Sequence, residues 1–277
     1  SMTKENLMGL HIDGIIPLNN INRDRVAIAM ESSFSNLSLN FVHRFIPKFF
    51  KINGQGTGSI SLNGTSDETY LSYNINIDNP EFDLVKMDNL KSKGTYNGKK
   101  LIIEMAQASN KDGYIEASGS VPFDLNIGSN SFGKYFENDS IQLRTEAKLS
   151  NLPFLSPYIA DLDSADGNYK INLFLEGPVN NINRNGNISV QNGVLYTQLL
   201  NDPIRFIEGE AQLLNNKLSF KDLTANLDYD NGNKISPKTF NTRINGDVDL
   251  TNFFNPLYNL KINAKNAFFR LLSLDIY

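Results

Sequence analysis

Alternation of apolar and polar residues over short segments is the feature that most constrains how this chain folds. Apolar residues recur at every second position in segments such as 71–77, 101–105 and 171–175, with mostly polar residues between them. Successive side chains of a β-strand point to opposite faces, so a period of two predicts strands with one buried and one hydrated face. The chain is therefore predicted to be all-β.

Short turn signals separate these segments at intervals of roughly 8–12 residues, the spacing typical of antiparallel β folds. They include Lys111-Asp112-Gly113, Asn192-Gly193, Asn215-Asn216 and Asn245-Gly246. Connections this short join antiparallel neighbours, whereas a parallel crossover needs about a dozen residues or more. The sequence thus predicts an antiparallel sheet.

Helical periodicity is clear in one segment, residues 41–50. Its apolar residues fall at i, i+1, i+4, i+5, i+8 and i+9, which is one face of an amphipathic helix. Pro47 lies inside this segment and disfavours a long continuous helix. We therefore expect one short helix.

Composition excludes several classes of protein. The 277 residues include no cysteine, which removes disulfides, thiolate metal sites and cysteine nucleophiles. Lys and Arg number 26 against 30 Asp and Glu, a net charge of -4 without long runs of one sign, which argues against a nucleic-acid partner. With 40% hydrophobic residues the chain can bury a core.

No motif for catalysis, a cofactor or a metal withstands inspection. The glycine-rich residues 54–59 have the spacing G-x-G-x-G and continue into an alternating segment, so they predict a strand instead of a nucleotide loop. Residues 161–167 and 228–232 lack the ligand spacing of a calcium loop and are interpreted as turns. His43 has no Asp or Glu nearby in sequence and is interpreted as a surface histidine. The chain is predicted not to be an enzyme.

An internal repeat is the next informative feature. Ser35-Asn36-Leu37 returns as Ser150-Asn151-Leu152, and the segment 54–64 returns as 167–177, at offsets of 113–115 residues. The repeat units are predicted at about 10–118, 119–245 and, in part, 246–277. Residues 1–9 are predicted to be a cleavage scar and leader at the start of an excised segment. No linker separates the units, so we expect one continuous elongated domain.

The order of several degenerate motifs resembles the TamB/AsmA-like family over about residues 10–277. The motifs lie at residues 75–79 and 188–192, at 101–106 and 218–225, at 246–250, and within 240–264. The resemblance implies a long antiparallel sheet curled into an open, taco-like groove with a hydrophobic interior. It also implies a periplasmic location in a diderm bacterium, with the whole protein anchored in the inner membrane.

The resemblance further implies a function, the conduction of phospholipid between the inner and outer membranes. The expected partners are phospholipid acyl chains and an outer-membrane β-barrel protein contacted through a more C-terminal part. No cofactor, metal or nucleic acid is expected. The residues predicted to line the groove are Ile60, Leu62, Leu71, Tyr73, Ile75, Ile77, Leu101, Ile103, Met105, Ile115, Leu143, Ile171, Leu173, Leu175, Ile188, Val190, Leu218, Phe220, Val248, Leu250, Leu260 and Ile262.

A second interpretation stays open at this point. Alternating strands also build tandem β-sandwiches, whose apolar faces are filled by their own side chains. In that case the chain is a non-catalytic scaffold for outer-membrane protein assembly or an adhesin-like protein. Small residues are predicted on the same face as Ile and Leu, and they favour the groove because they leave room beside those larger side chains. They include Ala106, Ala117, Ala147 and Ala264.

Overall fold

The computed structural model describes residues 8–15, 27–39, 52–82, 85–97, 99–126, 129–136, 138–152, 162–198, 200–227, 240–252 and 256–267. The chain divides into two compact units. Unit 1 comprises Ser1–Thr145 and Leu175–Ile182, and unit 2 comprises Glu146–Phe174 and Asn183–Tyr277.

Unit 1 is built from antiparallel strands. They are β1 (Gly9–Ile15), β2 (Ala27–Ser38), β3 (Ile52–Thr65), β4 (Thr69–Phe82), β5 (Val85–Lys86), β6 (Asn89–Asn97), β7 (Lys100–Asn110) and β8 (Gly113–Pro122). The order across the sheet is β1-β2-β3-β4-β6-β7-β8, and the short β5 pairs with β4 beside this path. Apart from β5, each strand lies next to its predecessor, as expected for antiparallel neighbours joined in chain order.

Unit 2 has the same kind of architecture. The strands β9 (Ser140–Asn151) and β10 (Leu162–Pro178) each contribute residues to both units. The remaining strands are β11 (Asn183–Thr197), β12 (Ile204–Leu214), β13 (Lys217–Asn226), β14 (Thr242–Asp249) and β15 (Leu257–Ala264). They follow one another across the sheet in chain order, and every pair is antiparallel.

The predicted all-β, antiparallel fold class is confirmed. The described residues contain no α-helix, and the predicted helix at 41–50 lies outside them, as do His43 and residues 228–232. Most of the predicted leader, residues 1–9, also lies outside the described residues. The taco-like groove and the repeat boundaries stay predictions.

Two of the predicted turns lie inside strands. Asn192 and Gly193 belong to β11, and Asn245 and Gly246 belong to β14. Asn192 has a φ of 53°, and the ladder between β11 and β12 shifts register between Val190 and Gly193. The turn prediction was wrong because an asparagine that tolerates the left-handed region also suits a β-bulge.

Other turn predictions agree with the structure. Asn215 and Asn216 form the tight turn between β12 and β13, with φ values of 48° and 67°. Positive φ at both central residues matches the right-handed twist of the flanking strands. At the β7–β8 turn the Asp112 N–H donates to Asn110 Oδ1 at 2.9 Å. The predicted turn at 161–167 is wrong, because β10 begins at Leu162.

The connection between β8 and β9 is fixed to the ends of neighbouring strands in unit 1. The Leu125 N–H donates to the Tyr96 hydroxyl at 3.0 Å, and the Thr69 N–H donates to Asn126 Oδ1 at 3.0 Å. Tyr96 is only 1% exposed. The connection therefore supplies polar partners for groups that the strand ends bury, as buried polar groups require.

Asp124 holds this connection in place. Asp124 is only 2% exposed. Its carboxylate accepts hydrogen bonds from the Ser129 hydroxyl at 2.6 Å, from the Ser131 hydroxyl, and from the Asn126 N–H at 3.0 Å. Burial alone would raise the pKa of the Asp124 carboxyl, but the hydrogen bonds outweigh it and hold that pKa below its ordinary value. Asp124 is therefore a charged structural group.

We expect Asp124→Asn to lower the free energy of unfolding at pH 7 by about 1–3 kcal/mol, the usual cost of losing hydrogen bonds to a buried charge. A depressed native pKa gives stability that is complete above the unfolded-state pKa and is lost as the pH falls through the native pKa. Urea unfolding should therefore show the difference between wild type and Asp124→Asn shrinking at acid pH.

The matched control is Asp163→Asn, which changes an exposed carboxyl on β10 and should leave stability nearly unchanged. A difference for Asp124→Asn that stays constant from neutral to acid pH would contradict the assignment.

Candidate apolar binding face

Hydrogen-bond register decides which side chains share a face of the sheet in unit 1, because residues paired in an antiparallel ladder point to the same side. One continuous row consists of Leu10, Phe34, Gly58, Ile75, Ser92, Ala106 and Ala117. The next row consists of Ile12, Ser32, Ile60, Tyr73, Gly94, Ile103 and Gly119. A third consists of Gly14, Met30, Leu62, Leu71, Tyr96, Leu101 and Val121. We call this side the apolar face of unit 1.

The opposite side of unit 1 is polar. Its rows include His11, Ser33, Ser59, Asn74 and Lys93, and then Asp13, Glu31, Ser61, Ser72 and Thr95. The Lys93 ammonium lies 3.9 Å from the Glu104 carboxylate, and both side chains are about half-exposed. A pair this exposed contributes little to stability. These residues form a hydrated surface.

Unit 2 shows the same segregation. One row consists of Ile188, Ala211, Phe220, Gly246 and Leu260, and the next of Gly186, Leu213, Leu218, Val248 and Tyr258. The intervening row on the other side consists of Asn187, Gln212, Ser219, Asp247 and Asn259. The side that carries the first two rows is the apolar face of unit 2.

The apolar face of unit 1 is buried toward the strand ends and half-buried in its middle. Leu62 is 7% exposed and Ile77 is 9% exposed, whereas Ile60 and Ile75 between them are half-buried. Ile12 on β1 is 58% exposed. The middle of this face therefore keeps apolar surface in contact with solvent, which soluble proteins seldom do over a contiguous area without a function.

Most of the predicted site residues lie on these two apolar faces. In unit 1 they are Ile60, Leu62, Leu71, Tyr73, Ile75, Ile77, Leu101, Ile103 and Ile115, and in unit 2 they are Ile188, Val190, Leu218, Phe220, Val248, Leu260 and Ile262. In β9 and β10, Leu143, Ile171, Leu173 and Leu175 are half-buried and alternate largely with exposed residues. Alternation alone identified these positions.

Two predicted site residues lie elsewhere. Met105 pairs with Lys93 on the polar side. The β6–β7 ladder shifts register between Lys93 and Gly94, so Glu104 has no opposite residue in the ladder. Leu250 follows the end of β14, and its N–H donates to the Asn216 carbonyl at 2.8 Å. A strict period of two did not predict either placement.

Sequence reasoning missed several members of the apolar faces. They include Met30, Phe34, Tyr96, Leu213 and Ile244. Ile28, Met30 and Phe34 keep a period of two in β2, but Ser32 interrupts the run. The signal was therefore present and weak.

Tyr169 is a buried titratable group of unit 2. Its side chain lies on β10, and its hydroxyl donates to the Asp166 carbonyl at 3.0 Å. Burial, with a smaller effect of the Asp166 charge, raises the pKa of Tyr169 to about 12. The phenol is therefore neutral at physiological pH and supplies no base.

The described part of the chain contains no group of three or more His, Cys, Asp or Glu side chains that could hold a metal ion. Nor does it contain a helix that is both long and apolar enough to cross a membrane. Comparison with known proteins found no matching family model, no matching curated protein and no matching solved structure.

Glycines allow the strands to approach closely at the apolar face. A Cβ on Gly58 would lie 2.3 Å from the Asn74 carbonyl oxygen, which is backbone and cannot move aside. A Cβ on Gly56, two residues away in the same strand, would first meet the Phe34 ring at 3.4 Å, an ordinary contact. Strand glycines often mark such close approaches of the backbone.

Gly58→Ala is therefore expected to lower the free energy of unfolding by about 1–3 kcal/mol or more, the range for overpacking. Gly56→Ala is the matched control and should change it by less than about 1 kcal/mol, since it adds a methyl group without a clash. Thermal and urea unfolding of the two variants measures the difference. Equal stability of the two would contradict the register between β3 and β4.

Proposed function

We propose that this chain is part of a lipid-transfer protein and that the apolar faces of its units bind phospholipid acyl chains. One observation carries the proposal. In each unit the register collects apolar side chains on one side of the sheet, and part of that side remains accessible to solvent. The opposite side is polar, so a ligand with an apolar body is favoured on one face only.

The energetics suit an acyl chain. Each methylene group withdrawn from water contributes about 0.8 kcal/mol. Small residues lie beside large ones along the row Phe34, Gly58, Ile75, Ser92 and Ala106, which leaves space beside the large side chains. Because successive strands offer similar apolar contacts along these rows, an acyl chain that moves from one strand to the next meets a nearly level energy. Such a surface transports lipid without selecting one species strongly.

Backbone conformation supports the proposed repeats of about 115 residues. Three pairs of residues at an offset of 113 share unusual φ angles: Gly54 with Gly167 (135° and 139°), Gly64 with Gly177 (113° and 109°), and Asn79 with Asn192 (49° and 53°). A Cβ on Gly54 would contact Pro80 Cα at 3.3 Å, and a Cβ on Gly167 would contact Gly193 Cα at 2.7 Å. These two contacts also differ by 113 positions. Equivalent local geometry is what a repeated structural unit requires.

Within this proposal the chain is a periplasmic segment of a TamB/AsmA-like bridge, and its sheet curls into a groove with the apolar faces inside. The whole protein is anchored in the inner membrane and passes phospholipid toward the outer membrane. A lipid on this path keeps its acyl chains on the apolar floor and its headgroup in water. The repeats extend the floor, since each adds further strands that lengthen the same rows.

Leu173→Asp tests the proposal, because a carboxylate on the apolar face is costly to desolvate beneath an acyl chain. We expect phospholipid recovered with the purified chain, measured by mass spectrometry of organic extracts, to fall at least about fivefold. Thermal melting should show that the variant stays folded, since Leu173 is half-buried and water reaches it.

Asn172→Asp is the matched control, because it places the same charge on the neighbouring exposed residue. It should leave the amount of bound phospholipid unchanged. Absence of phospholipid from clean, folded wild-type protein would refute the proposal. So would a Leu173→Asp variant that loses its fold while its remaining folded fraction binds phospholipid as the wild type does.

A further inference from the structure

The outer edge of β15 carries backbone groups that no other described strand pairs with. Among the described residues β15 pairs with β14 alone, and all eight of its residues are exposed. Tyr258 and Ile262 are each 60% exposed although both lie on the apolar face. An edge strand with exposed apolar side chains is a template for pairing with another strand.

In three pairs of described strands the earlier strand carries a glycine of one characteristic conformation. The pairs are β1–β2, β8–β9 and β14–β15, and their glycines are Gly14, Gly119 and Gly246, with φ values of 141°, 141° and 128°. A Cβ on these glycines would meet the facing carbonyl oxygens of Ala29 at 2.2 Å, Gln142 at 1.9 Å and Asn259 at 2.1 Å. Only glycine adopts this conformation without strain. The three pairs therefore share one local geometry.

The first two pairs each have a further neighbour. In the sheet order β2 is followed by β3, and β9 is followed by β10. By equivalence the next position beside β15 belongs to a strand of the β3 and β10 type. Gly14 faces Met30 and Gly246 faces Leu260, so Leu260 takes the place of Met30. This correspondence fixes the register of such a neighbour.

The polar groups at the edge are oriented for such a neighbour. The Lys265 N–H donates to the Asn241 carbonyl at 2.8 Å, which directs the backbone groups of Lys265 toward β14. Backbone groups alternate in direction along a strand, so the N–H and C=O groups of Tyr258, Leu260, Ile262 and Ala264 point outward. The residues whose backbone groups point outward are the same ones that carry the apolar face.

We propose that the outer edge of β15 binds an extended, antiparallel partner strand whose apolar and polar residues alternate as in β3. Between β2 and β3, the pairing that serves as the model for this edge, Met30 pairs with Leu62, Ser32 with Ile60 and Phe34 with Gly58. The partner strand therefore places a leucine opposite Leu260, a β-branched or other apolar residue opposite Ile262, and a glycine opposite Ala264. Its intervening residues are polar. Main-chain bonds supply affinity, and the alternating side chains supply specificity.

A synthetic peptide with the sequence of residues 52–65 (β3) is the probe, added to the full chain. It should slow hydrogen exchange of the Tyr258, Leu260, Ile262 and Ala264 amides at least about tenfold at saturation, since each gains a ladder hydrogen bond. A control peptide of identical composition has its apolar residues moved by one position. It should give no protection, because a one-residue shift turns the apolar set to the polar side.

Ile262→Pro gives an independent check. Proline removes one outward N–H, which an edge strand tolerates, so the variant should melt within a few degrees of wild type. Its affinity for the 52–65 peptide should fall at least about tenfold, since one ladder bond is lost and the proline ring faces the partner. If the variant does not fold, the hydrogen-exchange result on the wild type decides the question.

Three results would overturn the proposal. The outward amides could already be protected in the free chain at all concentrations, which would show that other residues of this chain cover the edge. Protection that appears with rising protein concentration alone would show that a second copy is the occupant. Equal protection by the two peptides would show that the edge lacks the proposed side-chain specificity.

Discussion

The antiparallel hydrogen-bond ladder is the constraint on which the rest of this structure depends. Its register fixes the face of every side chain, and a slip of one residue would move a whole apolar set into water. In unit 1 the rows through Ile60 and Ile75 stay in step from β1 to β8. The apolar face is therefore a property of the ladder as a whole, and no single strand could produce it.

Interruptions of the ladder keep the faces segregated. The shift between Lys93 and Gly94 moves Met105 to the polar side and restores Ala106 to the apolar row. Similar shifts lie beside Asn192 in β11 and Asp222 in β13, which have φ values of 53° and 54°. Each bulge absorbs one residue and lets the next stretch resume its alternation. Bulges and close glycine contacts also allow sheets to curve, as the proposed groove requires.

Much of the fold followed from the sequence because the alternation is a local signal. Positions such as Ile75, Leu173 and Phe220 have neighbours of opposite polarity, or occur at a period of two, and their strands could be predicted from a few residues. The dipeptide Asn245-Gly246 misled the prediction, since turns and strand irregularities use the same residues. Asp124 could not be foreseen, because its role depends on Ser129, Ser131 and the buried Tyr96, which only the folded chain brings to one place.

The proposed function requires that one face of the sheet contacts lipid and the other does not. Ile75 and Asn74 are neighbours in β4, and the register places them on opposite sides. A photo-crosslinking amino acid introduced at each position in turn, in protein incubated with phospholipid vesicles, tests this claim most directly. We expect a phospholipid adduct at position 75 and none at position 74. Equal labelling at both positions, or no adduct at position 75 in folded protein, would contradict it.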